Sequence, residues 1–249
     1  ALGIVIGRSK QPTITAIASS LFERALPAVL KMTSPRAWAF TLIGIHEYLH
    51  RFDGDRLMSQ IHDELAGRFI GLYQQNRTDE WHWYEKELAY CNAMLPMALL
   101  MSGERMQDTL MMTTALKSLT WLALVQSSHP RGGYFVPIGS NGFYREHGER
   151  ARFDQQPIEA QAMVSACLKA YQLSGDSAWQ REAQRAFEWF LGRNDLNLPV
   201  YDPTTGGCRD GLHSDRANEN QGAESTLSFL QAWLELRLSE NALPSPLDQ

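Results

Sequence analysis

The sequence has few of the features that define several common protein classes. Its three cysteines, Cys91, Cys167 and Cys208, are an odd and widely spaced set, which indicates reduced thiols in a cytoplasmic protein. A net charge of −5 and the lack of any run of five basic residues argue against binding to nucleic acid. Uncharged stretches such as Ala37–Ile45 are too short to span a bilayer, so we predict no membrane partner.

Motifs for several other chemistries are also missing. The sequence has neither a GxSxG nucleophile elbow nor a glycine-rich phosphate loop, so it predicts neither a serine hydrolase nor a nucleotide site. His46 and His50 are four residues apart on a predicted helix, which is the spacing of a zinc pair. Because no third ligand suggests itself, we interpret them as a structural pair and predict neither a metal nor a cofactor.

The composition and the apolar pattern are those of a helical globular domain. The chain has 249 residues, of which 44% are hydrophobic and 20% charged, and we expect one domain over residues 1–249. Apolar residues recur at three- and four-residue spacing, as at Leu57, Ile61 and Leu65, which is typical of helices. About eight helices are predicted, near residues 12–31, 35–51, 55–75, 83–101, 104–126, 157–173, 177–191 and 218–237.

Glycine separates two amphipathic stretches at three places, namely Gly54, Gly103 and Gly175. Each glycine can end a helix in the left-handed conformation, and the acidic residue that follows favours the start of the next helix. This recurrence predicts stacked helical hairpins, arranged either as an open solenoid or as a closed (α/α) toroid or barrel.

Two segments, 127–156 and 192–217, interrupt the helical pattern. The first contains Tyr134-Phe135-Val136 and Asn141-Gly142, which predicts a long loop with a short β-hairpin. Both segments lead into helices that open with polar residues. Loops of this length in a compact helical domain are frequently functional.

Three groups of polar and aromatic residues lie at or near predicted helix starts. Amides and carboxylates beside Trp and Tyr are typical of a sugar site, where two carboxylates can act as general acid and base. The predicted catalytic residues are Asp154, Glu159, Asp210, His213 and Glu224. The predicted substrate-binding residues are Trp81, Trp83, Glu85, Tyr90, Asn92, Gln155, Asn220 and Gln221.

Helical spacing predicts that two pairs within these groups share a helix face. The pairs are Gln155 with Glu159, and Asn220 with Glu224, each four residues apart. A structural interpretation stays open beside the functional one. Asp154 could cap a helix, and Glu159 and Glu224 could serve only the electrostatics of a helix start.

Seven segments spread over the chain are specific as a set. They are Ser34–Trp38, Trp81–Glu85, Arg152–Glu159, Phe190–Asp195, Tyr201–Cys208, Asp210–His213 and Asn218–Thr226. Together they resemble a bacterial family of helical-toroid proteins that accompany glycosyltransferases or are fused to them. The resemblance implies a six-hairpin, glycosidase-like toroid with its site at the starts of the inner helices. A toroid hosts many functions, so the resemblance does not define a reaction.

The sequence departs from that family in one respect. Family members carry, towards the N-terminus, an Asp-Asp-Asn-Ala-Arg-like motif that nothing here matches. About eight helices also fall short of the twelve that a six-hairpin ring requires. We therefore expect the chain to be the C-terminal part of a larger toroid, or a shortened relative.

Three functions follow as hypotheses. The first is a carbohydrate-active protein that hydrolyses a glycan or glycoside with a carboxylate acid/base pair. The second is a non-catalytic glycan-binding or scaffolding domain that works beside a glycosyltransferase. The third is a sugar epimerase with two bases, for instance His213 and His82. An incomplete ring would leave apolar helix faces uncovered, so we also expect homo-oligomers.

Overall fold

The computed structural model describes residues 1–129 and 133–241. Within these residues the fold is mostly helical, with nine α-helices, one short 3₁₀-helix at Trp189–Leu191 and two short strands. The helices are α1 (Leu2–Arg8), α2 (Pro12–Val29), α3 (Pro35–Arg51), α4 (Arg56–Asn76), α5 (Met94–Met106), α6 (Thr109–Val125), α7 (Pro157–Ser174), α8 (Ser177–Glu188) and α9 (Ala223–Asn241). The strands are β1 (Glu87–Leu88) and β2 (Tyr144–Arg145).

The predicted helix near 83–101 is wrong in its first half. Helix α5 starts at Met94, and the preceding residues form an irregular segment that includes β1. The buried Asn92 closes a tight turn there, because its side chain bonds both the amide and the carbonyl of Ala89 at 3.1 Å. Helical periodicity was misleading here, since side-chain and strand hydrogen bonds replace the helical ones.

The structure differs from the predicted β-hairpin within residues 127–156 in the strands that form the small sheet. Strand β2 pairs in antiparallel fashion with β1, with Glu87 opposite Arg145 and Leu88 opposite Tyr144. Among the described residues of this segment, an antiparallel bridge joins Ser127 and Phe135. Residues 130–132 of this predicted hairpin lie outside the described residues. Because β1 precedes this segment, the strand that pairs with β2 comes from a distant part of the chain.

Two of the glycine junctions, at Gly175 and Gly103, behave differently from each other. Gly175 has a φ of +69° and ends α7, as predicted, and Asp176 then caps α8 by accepting a hydrogen bond from the Ala178 amide. Gly103 instead lies inside α5, which continues to Met106. A side chain at Gly103 would collide with Met112 of α6, so this glycine permits a close helix approach rather than a turn.

The chain divides into two compact units. The first consists of Ala1–Glu85 and Met94–Ser118, and its helix α3 packs against α1, α2, α4 and α5. Helix α1, which the sequence did not predict, lies so close to α3 that a side chain at Gly3 would collide with the Gly44 carbonyl. The first unit is therefore a helical cluster around α3.

The second unit consists of Lys86–Ala93 and the chain from Leu119 onward. Helices α7 and α8 form a hairpin, and α7 also packs along α9. Helices α7 and α9 run in the same direction. Backbone bonds join the segments that precede them, and Ser165 of α7 meets Glu235 of α9 at 2.5 Å further along. Two helix starts therefore lie at one end of this unit.

None of the helices in the described part of the chain combines the length and apolar character needed to cross a bilayer.

Candidate functional site

A backbone bridge joins the segments that precede α7 and α9 in the second unit. The amide of Gln155 donates to the Leu212 carbonyl at 2.9 Å, and the amide of Leu212 donates back at 3.0 Å. Gly211 makes this approach possible, since its φ is +151° and any side chain there would collide with the Gln155 carbonyl. The bridge places the neighbouring residues, Asp154 and His213, side by side.

Asp154 and His213 form a half-exposed acid–imidazole pair. Asp154 Oδ1 and His213 Nδ1 are 2.6 Å apart, and the side chains are 43% and 32% exposed. This contact uses one carboxylate oxygen and one ring nitrogen, which leaves Oδ2 and Nε2 for a ligand. Such a pair can move protons to and from a bound molecule, because the carboxylate fixes the orientation of the ring.

Glu159, another predicted catalytic residue, is buried in the first turn of α7. Its carboxylate accepts hydrogen bonds from the Cys91 amide, from Asn92 Nδ2 at 3.0 Å and from Gln126 Nε2 at 3.4 Å. The contact between Glu159 and Asn92 joins two predicted site residues. Glu159 thus fixes the irregular segment before α5 to the start of α7.

The prediction that Gln155 shares a helix face with Glu159 is wrong. Helix α7 begins at Pro157, and Gln155 precedes it in extended backbone held by the bridge to Leu212. Asp154 is not the N-cap either, because that position belongs to Gln156. The carboxylate of Asp154 is therefore not used to cap α7.

Asp210 holds the start of α9. Its carboxylate accepts hydrogen bonds from the Gly222 amide at 2.8 Å, from Ser225 Oγ at 2.6 Å and from Asn220 Nδ2. Burial raises the pKa of Asp210, but the hydrogen bonds from Ser225, Asn220 and Gly222 together outweigh it, so the pKa lies below its ordinary value. Asp210 is therefore a carboxylate at the positive end of α9.

Glu224 remains exposed in the first turn of α9. Its predicted pairing with Asn220 on one helix face is wrong, because α9 begins only at Ala223. Gln221 instead holds the preceding loop, where it accepts from Thr205 Oγ1 at 2.7 Å and donates to Asp202 at 3.2 Å. Glu224 thus has a carboxylate that is open to solvent.

A buried carboxylate that the sequence did not single out, Asp195, lies next to the Asp154–His213 pair. Its side chain is 2% exposed and accepts hydrogen bonds from Tyr134 Oη at 2.8 Å, Arg152 Nη2 at 2.5 Å and Gln155 Nε2 at 2.5 Å. Burial and the nearby Asp195 raise the pKa of Tyr134, and the bond to Asp195 raises the pKa of Arg152. No spacing in the sequence indicates these partners.

The first predicted group divides between the two units. Trp81, Trp83 and Glu85 belong to the first unit, where both indoles are buried. Trp81 Nε1 donates to the Glu85 carbonyl at 2.7 Å, and the Glu85 carboxylate pairs with Arg36 at 2.5 Å. Tyr90 belongs to the second unit and is 45% exposed, so its ring has a surface that a ligand could contact.

His46, Glu47 and His50 form an HExxH pattern, which our reading of the sequence overlooked. Glu47 is held by Arg8 at 2.6 Å; burial raises its pKa, but the hydrogen bond to Arg8 and the charges of Arg8, His46 and His50 together outweigh burial, so the pKa lies below its ordinary value. His50 is exposed, and His46 Nε2 lies 3.9 Å from a Glu104 oxygen. Among the described residues, no group of three or more His, Cys, Asp or Glu side chains is placed to hold a metal ion.

Comparisons with known proteins assign no family to the chain. No family model matches it, and the search of curated proteins finds no significant match.

Proposed function

We propose that the chain is a carbohydrate-active protein that acts on a glycan or glycoside at the end of the α7–α9 pair. In this proposal Asp154 and Glu224 are the acid/base carboxylates, and the reaction is hydrolysis. His213 orients Asp154, while Tyr90 contacts the sugar and Asn220 binds its hydroxyl groups. The carrying observation is the 2.6 Å contact between Asp154 and His213 in a solvent-accessible position.

The carboxylates of this unit differ in how fully they are hydrogen-bonded, and this difference supports the choice. Glu159, Asp195 and Asp210 each accept several hydrogen bonds from amides, hydroxyls or a guanidinium. Asp154 is engaged through one oxygen, and Glu224 is exposed. A reacting carboxylate needs an oxygen within reach of the substrate, so the second pair suits the chemistry better.

The helical arrangement supports a toroid as the proposed architecture. In a toroid of helical hairpins, the inner helices run in the same direction and are more buried than the outer ones. Helix α7 is buried over most of its length and runs in the same direction as α9, while α8 lies between them in sequence and has a polar face. The proposed site lies at the end of the unit where α7 and α9 start.

The test is a glycan-array screen followed by hydrolysis assays on any glycan that binds. Asp154→Asn and Glu224→Gln should each abolish turnover and leave the thermal midpoint nearly unchanged, because both side chains reach solvent. Asp215→Asn is the matched control, since Asp215 lies in the same loop as His213, and its exposed carboxylate pairs with Arg216. Full turnover in both site variants would refute the proposal.

A non-catalytic glycan-binding domain, working beside a glycosyltransferase, is the second candidate. This candidate is favoured because Glu159, Asp195 and Asp210 are fully engaged in hydrogen bonds. Such carboxylates can stabilise a binding surface without taking part in a reaction. Saturable binding that Asp154→Asn weakens, with no turnover on any bound glycan, would select this candidate. Epimerisation has less support, because His82 belongs to the first unit and His213 to the second.

We further propose a cytoplasmic location. Cys91, Cys167 and Cys208 are all buried and free, so no disulfide in the described residues calls for an oxidising compartment.

A further inference from the structure

The buried side chain of Asp195 contacts the residues on both sides of the short segment Phe153-Asp154. Two of its hydrogen-bond donors, Arg152 and Gln155, stand on either side of Phe153-Asp154. Arg152 reaches Asp195 Oδ1 through Nη2 at 2.5 Å and through Nε at 3.2 Å, while Gln155 reaches Oδ2. The segment that carries Asp154 is therefore held at both ends by one carboxylate.

Gln155 extends this hold towards His213. Its side-chain amide also donates to the Arg152 carbonyl at 3.0 Å, and its Oε1 accepts from Trp189 Nε1 at 2.7 Å. Every side-chain polar atom of this buried residue is thus engaged, which fixes its position. Its backbone forms the bridge to Leu212, the residue before His213. A shift of Gln155 would consequently move Asp154 and His213 relative to each other.

We propose that Asp195 is a positioning residue for the Asp154–His213 pair. It touches neither residue of the pair, and it acts by fixing Arg152 and Gln155 through its two oxygens. A carboxylate is needed because the three partners all donate hydrogen bonds. An amide in its place would turn an NH₂ group towards one of these donors. The catalytic meaning of this role rests on the proposed function, whereas the positioning itself does not.

The experiment is NMR of the His213 imidazole nitrogens, assigned with His213→Asn and recorded without any substrate. Asp154→Asn defines the signal of the ring without its carboxylate partner. In Asp195→Asn we expect the signal to move towards that position, because the contact between Asp154 and His213 loosens. An unchanged His213 signal in Asp195→Asn, with a changed one in Asp154→Asn, would overturn the proposal. So would a signal that Asp154→Asn itself does not move.

Two further variants separate positioning from general stability. Glu188→Gln is the matched control, since it removes a neighbouring ion pair with Arg193 and touches neither Arg152 nor Gln155. It should leave the His213 signal in place. Arg152→Gln serves if Asp195→Asn does not fold, because Arg152 is 55% exposed and its loss is better tolerated. It should give an intermediate signal, and no movement there would refute the role.

Failure of the proposed function is visible separately. If the His213 signal responds as expected but no glycan is bound or cleaved, the proposed function fails and the positioning role stands. If glycans are cleaved and the signal does not respond, the reverse holds.

Discussion

Replacement of Glu159 by Gln tests whether this predicted catalytic residue is in fact structural. The carboxylate is buried and faces donors on all sides, namely the Cys91 amide, Asn92 Nδ2 and Gln126 Nε2. Gln keeps one oxygen of the carboxylate but replaces the other with an NH₂ group. That group can accept nothing from the donors that face it.

The expected cost follows from the groups left unpaired. Each buried donor without an acceptor costs about 1–3 kcal/mol, and the new NH₂ group adds a second such group, so Glu159→Gln should lower the free energy of unfolding by about 2–6 kcal/mol. For a chain of this size, where 1 kcal/mol shifts the midpoint by about 2–4 °C, the thermal midpoint should fall by roughly 4–24 °C. Glu159→Ala should cost more, because it leaves all the donors unpaired and opens a cavity.

The assay is thermal unfolding followed by circular dichroism, with turnover measured well below the midpoint. Glu224→Gln is the matched control, since it makes the same chemical change at an exposed position, where substitutions stay within about 0.5 kcal/mol. An unchanged midpoint in Glu159→Gln together with lost turnover would refute the structural assignment and make Glu159 a catalytic residue.

Three further predictions concern other parts of the molecule. Burial lowers the pKa of His62 from its ordinary 6.5, so folding favours the neutral ring. The thermal midpoint should therefore fall as the pH drops below 6.5, and His62→Asn should make the midpoint depend less on pH in that range. Burial raises the pKa of Cys208 to about 12, and Cys91 and Cys167 are buried too, so thiol reagents should label all three cysteines only after denaturation. Rapid labelling of the native chain, measured by mass spectrometry, would contradict this prediction. Helix α9 has four leucines that are 37–66% exposed at helical spacing, namely Leu227, Leu230, Leu234 and Leu238, so we expect the chain to self-associate. The double variant Leu230→Ser with Leu234→Ser should associate more weakly, and equal sedimentation masses for the original chain and the double variant would count against this prediction.

The local features of the fold were predictable from the sequence because their causes are local. Pro12 and Pro35 occupy first-turn positions, and Asp176 accepts a hydrogen bond from an amide of the helix that it precedes. Gly175 takes the left-handed conformation that ends α7. Each of these depends on residues within one turn, so the residue type alone carries the information.

The features that were missed depend on residues far apart in the chain. Strands β1 and β2 pair across a long separation, and this pairing stops a helical pattern from forming before α5. The contact between Asp154 and His213 joins residues 59 positions apart. Both residues were predicted as candidates from their types, but only the backbone bridge at Gln155 and Leu212 brings them together. Asp195 lies in one of the segments that carry the family resemblance, but nothing in the sequence indicated its role, because its partners are scattered along the chain.

Burial and hydrogen bonding together explain why the acidic residues of the second unit fall into two groups. Removing a carboxylate from water is costly unless donors surround it, and a carboxylate so surrounded has no oxygen left for a substrate. Hydrogen-bond donors surround the buried carboxylates of Glu159 and Asp195, whereas Asp154 and Glu224 keep access to solvent. Substitution of Asp154 or Glu224 should therefore abolish turnover with little loss of stability, whereas substitution of Glu159 or Asp195 should lower stability. Variants that lost both equally at all four positions would show that burial does not divide structure from chemistry here.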